Sequence, residues 1–228
     1  MALLIHVCCA ECLLGPLEEL RPYPTRGPTA GPDGGRGFTA YFYNPNIHPL
    51  LEFRRRLKAV KLLAHNLKLD LLCDQEYGLR DFLERVDWRG QTSPSSAQPP
   101  ACPQTVGTNQ AEPNRCRGCY ELRLARTAET AAARGFAAFT TTLLASRRQN
   151  HDLVRQVGEE AARRYGVPFA YFDWRPLAEA GHLEAKRRSL YRQQYCGCIF
   201  SEFDRYRDSR LHLWPPAARG EGAHGEED

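Results

Sequence analysis

Residues 3–12 read LLIHVCCAEC, a mostly apolar run that ends abruptly in three cysteines. Leu3–Val7 has the length and the β-branched residues of a buried strand, and the segment after it can open a helix. In an open α/β sheet, ligands bind at the turn that follows such a strand. Cys8, Cys9 and Cys12 stand where a nucleotide-binding protein carries its glycine-rich phosphate loop, so this stretch predicts chemistry at sulfur.

The composition narrows the class of protein. Across 228 residues, 31 basic and 27 acidic side chains give a net charge of +4, which does not by itself predict a nucleic-acid partner. No stretch reaches the roughly 18 apolar residues of a membrane span, and the N-terminus lacks the basic region and cleavage site of a secretory signal. We therefore expect a cytoplasmic protein without a membrane partner.

Nine cysteines are many for a chain of this length, and a reducing compartment disfavours structural disulfides. Cys73 ends an apolar run and Cys102 lies among prolines, so both are expected to be ordinary thiols. The other seven form three groups: Cys8, Cys9 and Cys12; Cys116 and Cys119; Cys196 and Cys198. Seven thiols exceed the ligands of one tetrahedral zinc. They would suit a [4Fe–4S] cluster beside a second metal, while structural zinc and thiol–disulfide chemistry stay open as alternatives.

Strand and helix patterns alternate along the rest of the chain. Apolar spacing predicts an amphipathic helix from Leu50 to Leu67, and Asn150 can cap another that runs to Arg164. Cys116 and Cys119 come at the start of a third helix, where backbone N–H groups and the helix dipole favour thiolate. Strands are predicted at 3–7, 38–43, 69–73, 136–142 and 168–172, and further helices at 13–20, 79–88 and 120–135. This alternation predicts an α/β fold with a mostly parallel sheet and helices on its faces.

Two segments interrupt the pattern. Residues 22–37 and 90–114 are rich in proline, glycine or serine, which predicts exposed insertions. Residues 212–228 consist largely of proline, glycine, alanine and acidic residues, so we expect a disordered tail. The remaining chain, 1–211, is predicted to form a single domain.

Polar residues follow two of the predicted strands, at the end of the sheet where α/β folds bind ligands. Asn44, Asn46 and His48 form a turn that would lie beside the first cysteines if the first two strands are parallel neighbours. His48 could donate a proton or bind a metal, or it could be structural. Thr140–Thr142 and Ser146 could hydrogen-bond a polar ligand, or they could simply end a strand and cap the next segment.

A basic stretch precedes the last cysteine pair. Arg187, Arg188 and Arg192 could meet a polyanionic substrate, or they could form an ordinary solvated face. Gln193 and Tyr195 lie between this stretch and the last two cysteines.

Five ordered motifs together resemble the cobalamin-independent epoxyqueuosine reductases. They are HVCCAEC at 6–12, YNPNIHP at 43–49, CRGCYELRL at 116–124, FTTTLLAS at 139–146 and LYRQQYCGCIFSE at 190–202. The motifs span nearly the whole chain outside the two insertions and the tail, so they are far more specific than any one cysteine spacing. The chain departs from the family pattern at Glu11, which replaces the usual proline, and in the longer loop before Cys116.

The resemblance implies a Rossmann-like α/β fold and an oxidoreductase that acts on tRNA. Family members convert epoxyqueuosine at the wobble position to queuosine, and they remove the epoxide oxygen as water with two electrons. The resemblance also implies a [4Fe–4S] cluster and an adjacent mononuclear metal ion, iron or zinc, both held by the seven cysteines, and no cobalamin. The implied partners are tRNA that carries epoxyqueuosine in its anticodon loop and an electron donor.

The chemistry of this reaction suggests roles for the polar residues. Metal-bound oxygen leaves more easily when an acid protonates it, and His48 or Tyr195 could be that acid. The anticodon loop is single-stranded, so its bases can be recognised without melting a duplex, and arginines could meet its phosphates. The residues expected to contact the substrate are Asn44, Asn46, Thr140, Thr141, Thr142, Ser146, Arg187, Arg188, Arg192 and Gln193.

Other functions compete with this hypothesis. A cluster-containing tRNA thiolase that uses ATP would need a pyrophosphate loop where Cys8–Cys12 stands. A non-enzymatic zinc-bound RNA-binding module would hold zinc and transfer no electrons. A disulfide reductase would depend on one cysteine pair and would work without metal.

Overall fold

The computed structural model describes residues 2–20, 37–86 and 114–206. The predicted insertions and the predicted tail lie outside these residues, except that Gly37 and Asn114 are described. Cys102 also lies outside them. All seven cysteines of the three predicted groups are described, and none of them is in a disulfide bond.

A four-stranded parallel sheet forms the centre of the fold. Its strands are β1 Leu3–His6, β2 Phe38–Phe42, β3 Asp70–Cys73 and β4 Ala138–Thr141. The strand order is β3-β2-β1-β4, the order of the first four strands in doubly wound dinucleotide-binding folds. Every residue of β1 and β2 is buried, as expected where both faces of a parallel sheet are covered. The predicted α/β fold is therefore confirmed.

The strand predicted at 168–172 is much shorter in the structure. Only one residue pair, Phe139 and Phe169, forms a parallel bridge there. Phe139 N–H donates to Pro168 O at 3.0 Å, and Ala170 N–H donates to Phe139 O at 2.8 Å. Because β4 ends at Thr141 and passes into a 3₁₀ turn, the neighbouring segment has little strand left to pair with.

Seven helices surround the sheet in the described residues. They are α1 Ala10–Leu14, α2 Leu50–Leu67, α3 Leu79–Arg85, α4 Asn114–Ala133, α5 His151–Tyr165, α6 Ala178–Arg187 and α7 Ile199–Tyr206. The predicted cap of α5 is confirmed, because the Asn150 side chain accepts a hydrogen bond from Leu153 N–H at 3.1 Å.

The helix predictions need two corrections. The helix predicted at 13–20 begins earlier, at Ala10, because the Cys9 sulfur caps it by accepting from Cys12 N–H; a 3₁₀ turn at Gly15–Leu17 follows. Helices α6 and α7 have no counterpart in the sequence prediction. The buried positions of α6 are the small residues Gly181 and Ala185, which leave almost no hydrophobic periodicity to detect.

Right-handed crossovers divide the helices between the two faces. Helix α1 connects β1 to β2 and helix α2 connects β2 to β3, so both connections run in the same direction across the sheet. The connection from β3 to β4, which contains α4, runs back in the other direction, so α4 lies on the opposite face. Helix α6 packs on α1, where a Cβ atom at Gly181 would lie 2.8 Å from the Glu11 carbonyl oxygen. Helix α5 packs on α4. Among the described residues, no helix combines the length and the hydrophobicity needed to cross a bilayer.

Candidate metal centre

Cys8, Cys9 and Cys12, the first thiol group, lie where β1 passes into α1. Their three sulfur atoms lie within 4.8 Å of one another, and the Cys8 and Cys9 sulfurs are 4.0 Å apart. Two sulfurs bound at about 2.3 Å to one ion can be at most about 4.6 Å apart, so small side-chain rotations bring the group to a metal-binding geometry. Adjacent cysteines can share one centre because both lie in the turn and not in the strand, where neighbours point to opposite faces.

Contacts within the first thiol group shift the pKa values of its three cysteines in different directions. Contacts from the Cys12 and Cys9 thiols, and then from Thr142, hold the pKa of Cys8 well below its usual value despite burial. The pKa of Cys12 is raised by its contacts with Cys8 and Cys9 and by burial. The contact with Cys12 lowers the pKa of Cys9, but the contact with Cys8 and burial together raise it more. The pKa of Cys9 is therefore raised as well. Of the three sulfurs, Cys8 is therefore the one whose surroundings favour the thiolate most.

The ends of the neighbouring strands fix this turn. Buried His6 pairs through Nδ1 with Thr141 Oγ1 at 2.8 Å and through Nε2 with Tyr43 O at 3.1 Å. Cys8 N–H donates to Thr142 Oγ1 at 3.1 Å, and Asn44 Nδ2 donates to Val7 O at 2.9 Å. Burial lowers the pKa of His6 to about 4, so its ring is neutral at physiological pH. The predicted polar residues of these strand ends thus hold the cysteine turn in place.

Four of the residues predicted to contact the substrate have an unpaired polar atom. In the part of the chain that the structure describes, no hydrogen-bond partner reaches the buried Oδ1 atoms of Asn44 and Asn46, the buried Oγ1 atom of Thr140 or the buried Oε1 atom of Gln193. Thr141 and Thr142, in contrast, use their hydroxyl oxygens in the contacts with His6 and Cys8.

Cys119, Cys196 and Cys198 form the second thiol group, brought together from α4 and the segment before α7. Burial raises the pKa of Cys119 to about 11 and that of Cys196 to about 12, and each thiol also interacts electrostatically with Cys198. Burial thus outweighs the helix dipole, which favours thiolate at Cys119. Cys116, one turn earlier on α4, is half-buried against the main core. Within 2–20, 37–86 and 114–206, only the first thiol group has three ligand atoms as close as 4.8 Å.

The Arg123 guanidinium connects the two thiol groups. The side chain is 1% exposed and interacts electrostatically with Cys119, Cys196 and Cys8. Its Nε atom donates to Cys119 O at 3.2 Å. One cysteine from each predicted sequence group, Cys8, Cys119 and Cys196, therefore interacts with this one guanidinium.

A buried ion pair on α2 holds the Cys196 segment. Arg56 pairs with Glu52 at 2.6 Å and donates to the carbonyl oxygens of Cys196 and Tyr195, each at 2.9 Å. His48 N–H donates to the carbonyl oxygen of Gly197, a residue whose positive φ of 129° suits glycine.

The two candidate acids of the sequence analysis are tied to each other. The Tyr195 hydroxyl donates to the His48 carbonyl oxygen at 2.6 Å, and the His48 ring pairs through Nδ1 with the Tyr77 hydroxyl at 3.0 Å. Burial raises the pKa of Tyr195, so this hydroxyl stays protonated.

A cleft of about 480 Å³, the thiol cleft, opens beside both thiol groups. Its lining includes Cys8, Cys12 and Cys196, the predicted Ser146, Arg192, Gln193 and Tyr195, and the arginines Arg147, Arg148 and Arg205. His48, Arg187 and Arg188 are not among the described residues that line it. Arg187 and Arg188 instead pair with Glu184 at 2.6 and 2.5 Å.

The lining also contains residues that the sequence analysis did not select. Gln149 Nε2 donates to Cys196 Sγ at 3.5 Å, as Gln193 Nε2 does to Cys12 Sγ at 3.9 Å. Elsewhere in the lining, His182 Nδ1 lies 3.1 Å from Glu11 Oε1 and its Nε2 lies 2.8 Å from Arg192 Nη1. Gln149 follows the predicted Ser146 closely in sequence, but nothing in the sequence pattern distinguishes His182.

The fold and the site define an α/β protein with a buried, thiol-rich centre and an adjoining cleft at the carboxyl end of its parallel sheet. Residues 3–204 match the family model described as Epoxyqueuosine reductase QueH, and the chain therefore belongs to this family. The resemblance noted in the sequence is thereby confirmed.

Similar proteins include several named Epoxyqueuosine reductase QueH. The one from Thermotoga maritima is 32% identical over 204 residues, which cover 89% of this chain and 91% of that protein. The one from Dehalococcoides mccartyi is 30% identical, with 90% and 94% covered. The one from Haemophilus influenzae is 29% identical, with 87% and 71% covered.

Proposed function

We propose that this protein is an epoxyqueuosine reductase that removes the epoxide oxygen of epoxyqueuosine, at the wobble position of tRNA, to give queuosine. The observation that carries this proposal is the convergence of two thiol groups on one cleft in a chain that belongs to this family over residues 3–204. The net reaction adds two electrons and two protons and releases water, so the site must receive electrons and deliver protons.

The donor set fits a thiolate-bound metal centre. Sulfur separations within 4.8 Å suit one ion. The buried Nη2 atom of Arg123 has no partner among the described residues, and an anionic centre would satisfy it. We assign the centre to Cys8, Cys9, Cys12, Cys116, Cys119, Cys196 and Cys198. When bound, a [4Fe–4S] cluster would supply single electrons and an adjacent ion, iron or zinc, would supply a Lewis acid.

The thiol cleft has the size of a small-molecule site, about 300–1,000 Å³, and can take one modified base. The Gln193 amide is suited to orient that base, because its Oε1 atom is buried without a partner among the described residues while its Nε2 atom contacts Cys12. Ser146 and Gln149 supply further polar groups in the lining.

Arginines of the lining are suited to hold the phosphates of the anticodon loop. Arg147, Arg148, Arg192 and Arg205 all face the thiol cleft. Arg187 and Arg188 are less suited to this role than Arg192, since both are paired with Glu184. Single-stranded RNA bound in this way would show a strong dependence on salt.

Tyr195 is the better placed of the two candidate acids, because it lines the cleft. In this proposal, its hydroxyl turns from the His48 carbonyl oxygen and gives its one proton to the departing oxygen. The His48 backbone carbonyl that accepts from Tyr195 fixes the orientation of the ring.

The first experiment is anaerobic purification followed by analysis of iron, sulfide and zinc and by a visible spectrum. We expect about four sulfides per chain, at least as much iron, and a broad charge-transfer absorption. The loaded protein should then convert epoxyqueuosine in tRNA when a chemical reductant is supplied. Stoichiometric zinc without sulfide, and no conversion, would contradict the proposal and favour an RNA-binding module.

A further inference from the structure

Three arginines are buried among the described residues, and their partners differ. Arg56 pairs with Glu52 at 2.6 Å, and Arg115 pairs with Asp204 at 3.0 Å. Arg123 is as buried as Arg56, but no carboxylate of the described residues pairs with it. Its titratable neighbours are instead Cys119, Cys196 and Cys8, from both thiol groups, and Tyr120.

The hydrogen bonds of Arg123 do not satisfy its guanidinium. Nε donates to Cys119 O at 3.2 Å, whereas buried Nη2 has no partner in the described part of the chain. The group also lies 5.7 Å from the centroid of the Tyr120 ring. A guanidinium cannot lose its proton to escape burial, so it needs a nearby anion.

No carboxylate of the described residues meets this need of Arg123, unlike that of Arg56 and Arg115. The only hydrogen bond of Arg123 to another group goes to the neutral carbonyl oxygen of Cys119, among the described residues. Metal binding deprotonates its thiol ligands, so a loaded centre carries several thiolates around the same guanidinium. The charge of Arg123 therefore matches the loaded site better than the metal-free one.

We propose that Arg123 is the buried counter-charge of the thiolate centre, a residue that stabilises the bound and reduced forms of the centre without ligating it. This inference rests on the metal centre of the proposed function. The inference predicts two opposite effects of removing this charge. The affinity of the centre for metal falls, while the metal-free protein becomes no less stable, because it no longer buries an unpaired cation.

The test compares wild type, Arg123→Met, Arg123→Lys and, as a control on the same helix, Arg126→Met, whose side chain is half-exposed. Full-length metal-free proteins are titrated anaerobically with Co²⁺, and binding is followed by thiolate charge-transfer absorption. We expect Arg123→Met to lose about 10- to 100-fold in affinity, typical of residues that support metal ligands. Arg123→Lys should recover most of this loss, and Arg126→Met should match wild type.

Two further readouts separate charge from packing. Metal-free Arg123→Met should unfold at the same temperature as wild type or higher. In iron-loaded protein, its reduction potential should shift to more negative values, because the reduced centre loses a neighbouring positive charge.

Several results would overturn the inference. They are wild-type Co²⁺ affinity in Arg123→Met, equal losses in the Met and Lys variants, or a metal-free Arg123→Met that unfolds at a lower temperature or fails to fold. Wild-type protein that binds no Co²⁺ would instead overturn the proposed centre itself, and the inference with it.

Discussion

Individual sulfur atoms of the candidate centre have polar neighbours that ordinary buried cysteines lack. Cys8 contacts Thr142 Oγ1 at 3.4 Å, Cys12 contacts the Gln193 amide and Cys196 contacts the Gln149 amide. Hydrogen bonds to a thiolate stabilise its charge. These contacts therefore prepare the sulfurs for metal binding, and each can be tested one residue at a time.

Cys8 and Cys73 make a matched pair for such a test. We expect Cys8→Ser to lose most of its iron, because a serine hydroxyl does not replace a thiolate ligand. Cys73→Ser should keep the wild-type content, since Cys73 ends β3 and interacts with Lys61 and with no other cysteine of the described residues. Iron and sulfide per chain after anaerobic purification measure both. Equal iron in the two variants would remove Cys8 from the ligand set.

His151 should make the fold sensitive to acid. Burial lowers its pKa below the usual 6.5, although its hydrogen bond to Ser146 O opposes the shift. The unfolded chain therefore takes up the proton more readily, so this contribution to stability is complete above pH 6.5 and declines as pH falls below it. Each unit of pKa difference is worth about 1.4 kcal/mol. His6 acts in the same direction, so replacing His151 removes only part of the effect.

Urea unfolding of the metal-free protein at pH 7.5 and pH 5.5 measures this dependence. The loss of stability between the two pH values should be smaller in His151→Gln than in wild type. His65→Gln, on the exposed side of α2, serves as the control. A loss as large in His151→Gln as in wild type would contradict the assignment.

At the scale of elements, α2 acts as a clamp on the segment that carries Cys196. Its Glu52–Arg56 pair is buried, and Tyr191 donates a further hydrogen bond to Glu52. The segment from Leu190 to Cys198 contains no helix or strand, so its position depends on such contacts from neighbouring elements. The second thiol group therefore depends on α2 as well as on α4.

Breaking this clamp should be costly. Arg56→Met leaves Glu52 buried without its cation, which we expect to destabilise the protein by about 3–5 kcal/mol. The double variant Glu52→Gln/Arg56→Met should recover part of that loss, and exposed Arg54→Met on the same helix should be nearly neutral. Urea unfolding measures all three. A double variant that is no more stable than Arg56→Met would argue against a coupled pair.

At the scale of the whole molecule, charge is distributed unevenly around the thiol cleft. The net charge of the chain is only +4, but four arginines lie together in the cleft lining. Other arginines, such as Arg187 and Arg188, are paired with neighbouring carboxylates. Such a cluster of positive charge attracts phosphates to the cleft and contributes little to the electrostatic potential over the rest of the surface.

Arg192 and Arg187 make this distribution testable. We expect Arg192→Ala to weaken binding of an anticodon stem-loop and to reduce the slope of log K against log salt by about 0.7, the value for one phosphate contact on a single strand. Arg187→Ala should leave both quantities nearly unchanged, because Arg187 is exposed and paired with Glu184. Fluorescence anisotropy at several salt concentrations measures the slopes. Equal effects of the two variants would mean that the cleft does not direct binding.

Local sequence determined the fold class, most strand and helix positions, and the three groups of cysteines. These features depend on periodicity, capping and the chemistry of thiols, which can be recognised within short segments: Leu3–Val7, the cap at Asn150 and the turn after β1 are examples. Helix α6 cannot be recognised in this way, because Gly181 and Ala185 are selected by close packing on α1 and not by hydrophobicity.

Only the tertiary structure decided which polar residues serve the site. Arg123 and Arg187 are both arginines on helices, yet one is buried between thiols and the other is paired with Glu184 in solvent. Glu11 and His182 lie 171 positions apart and meet on one wall of the cleft. The physical reason is that burial and charge pairing depend on which elements pack together, and this packing is set by contacts between residues far apart in the chain.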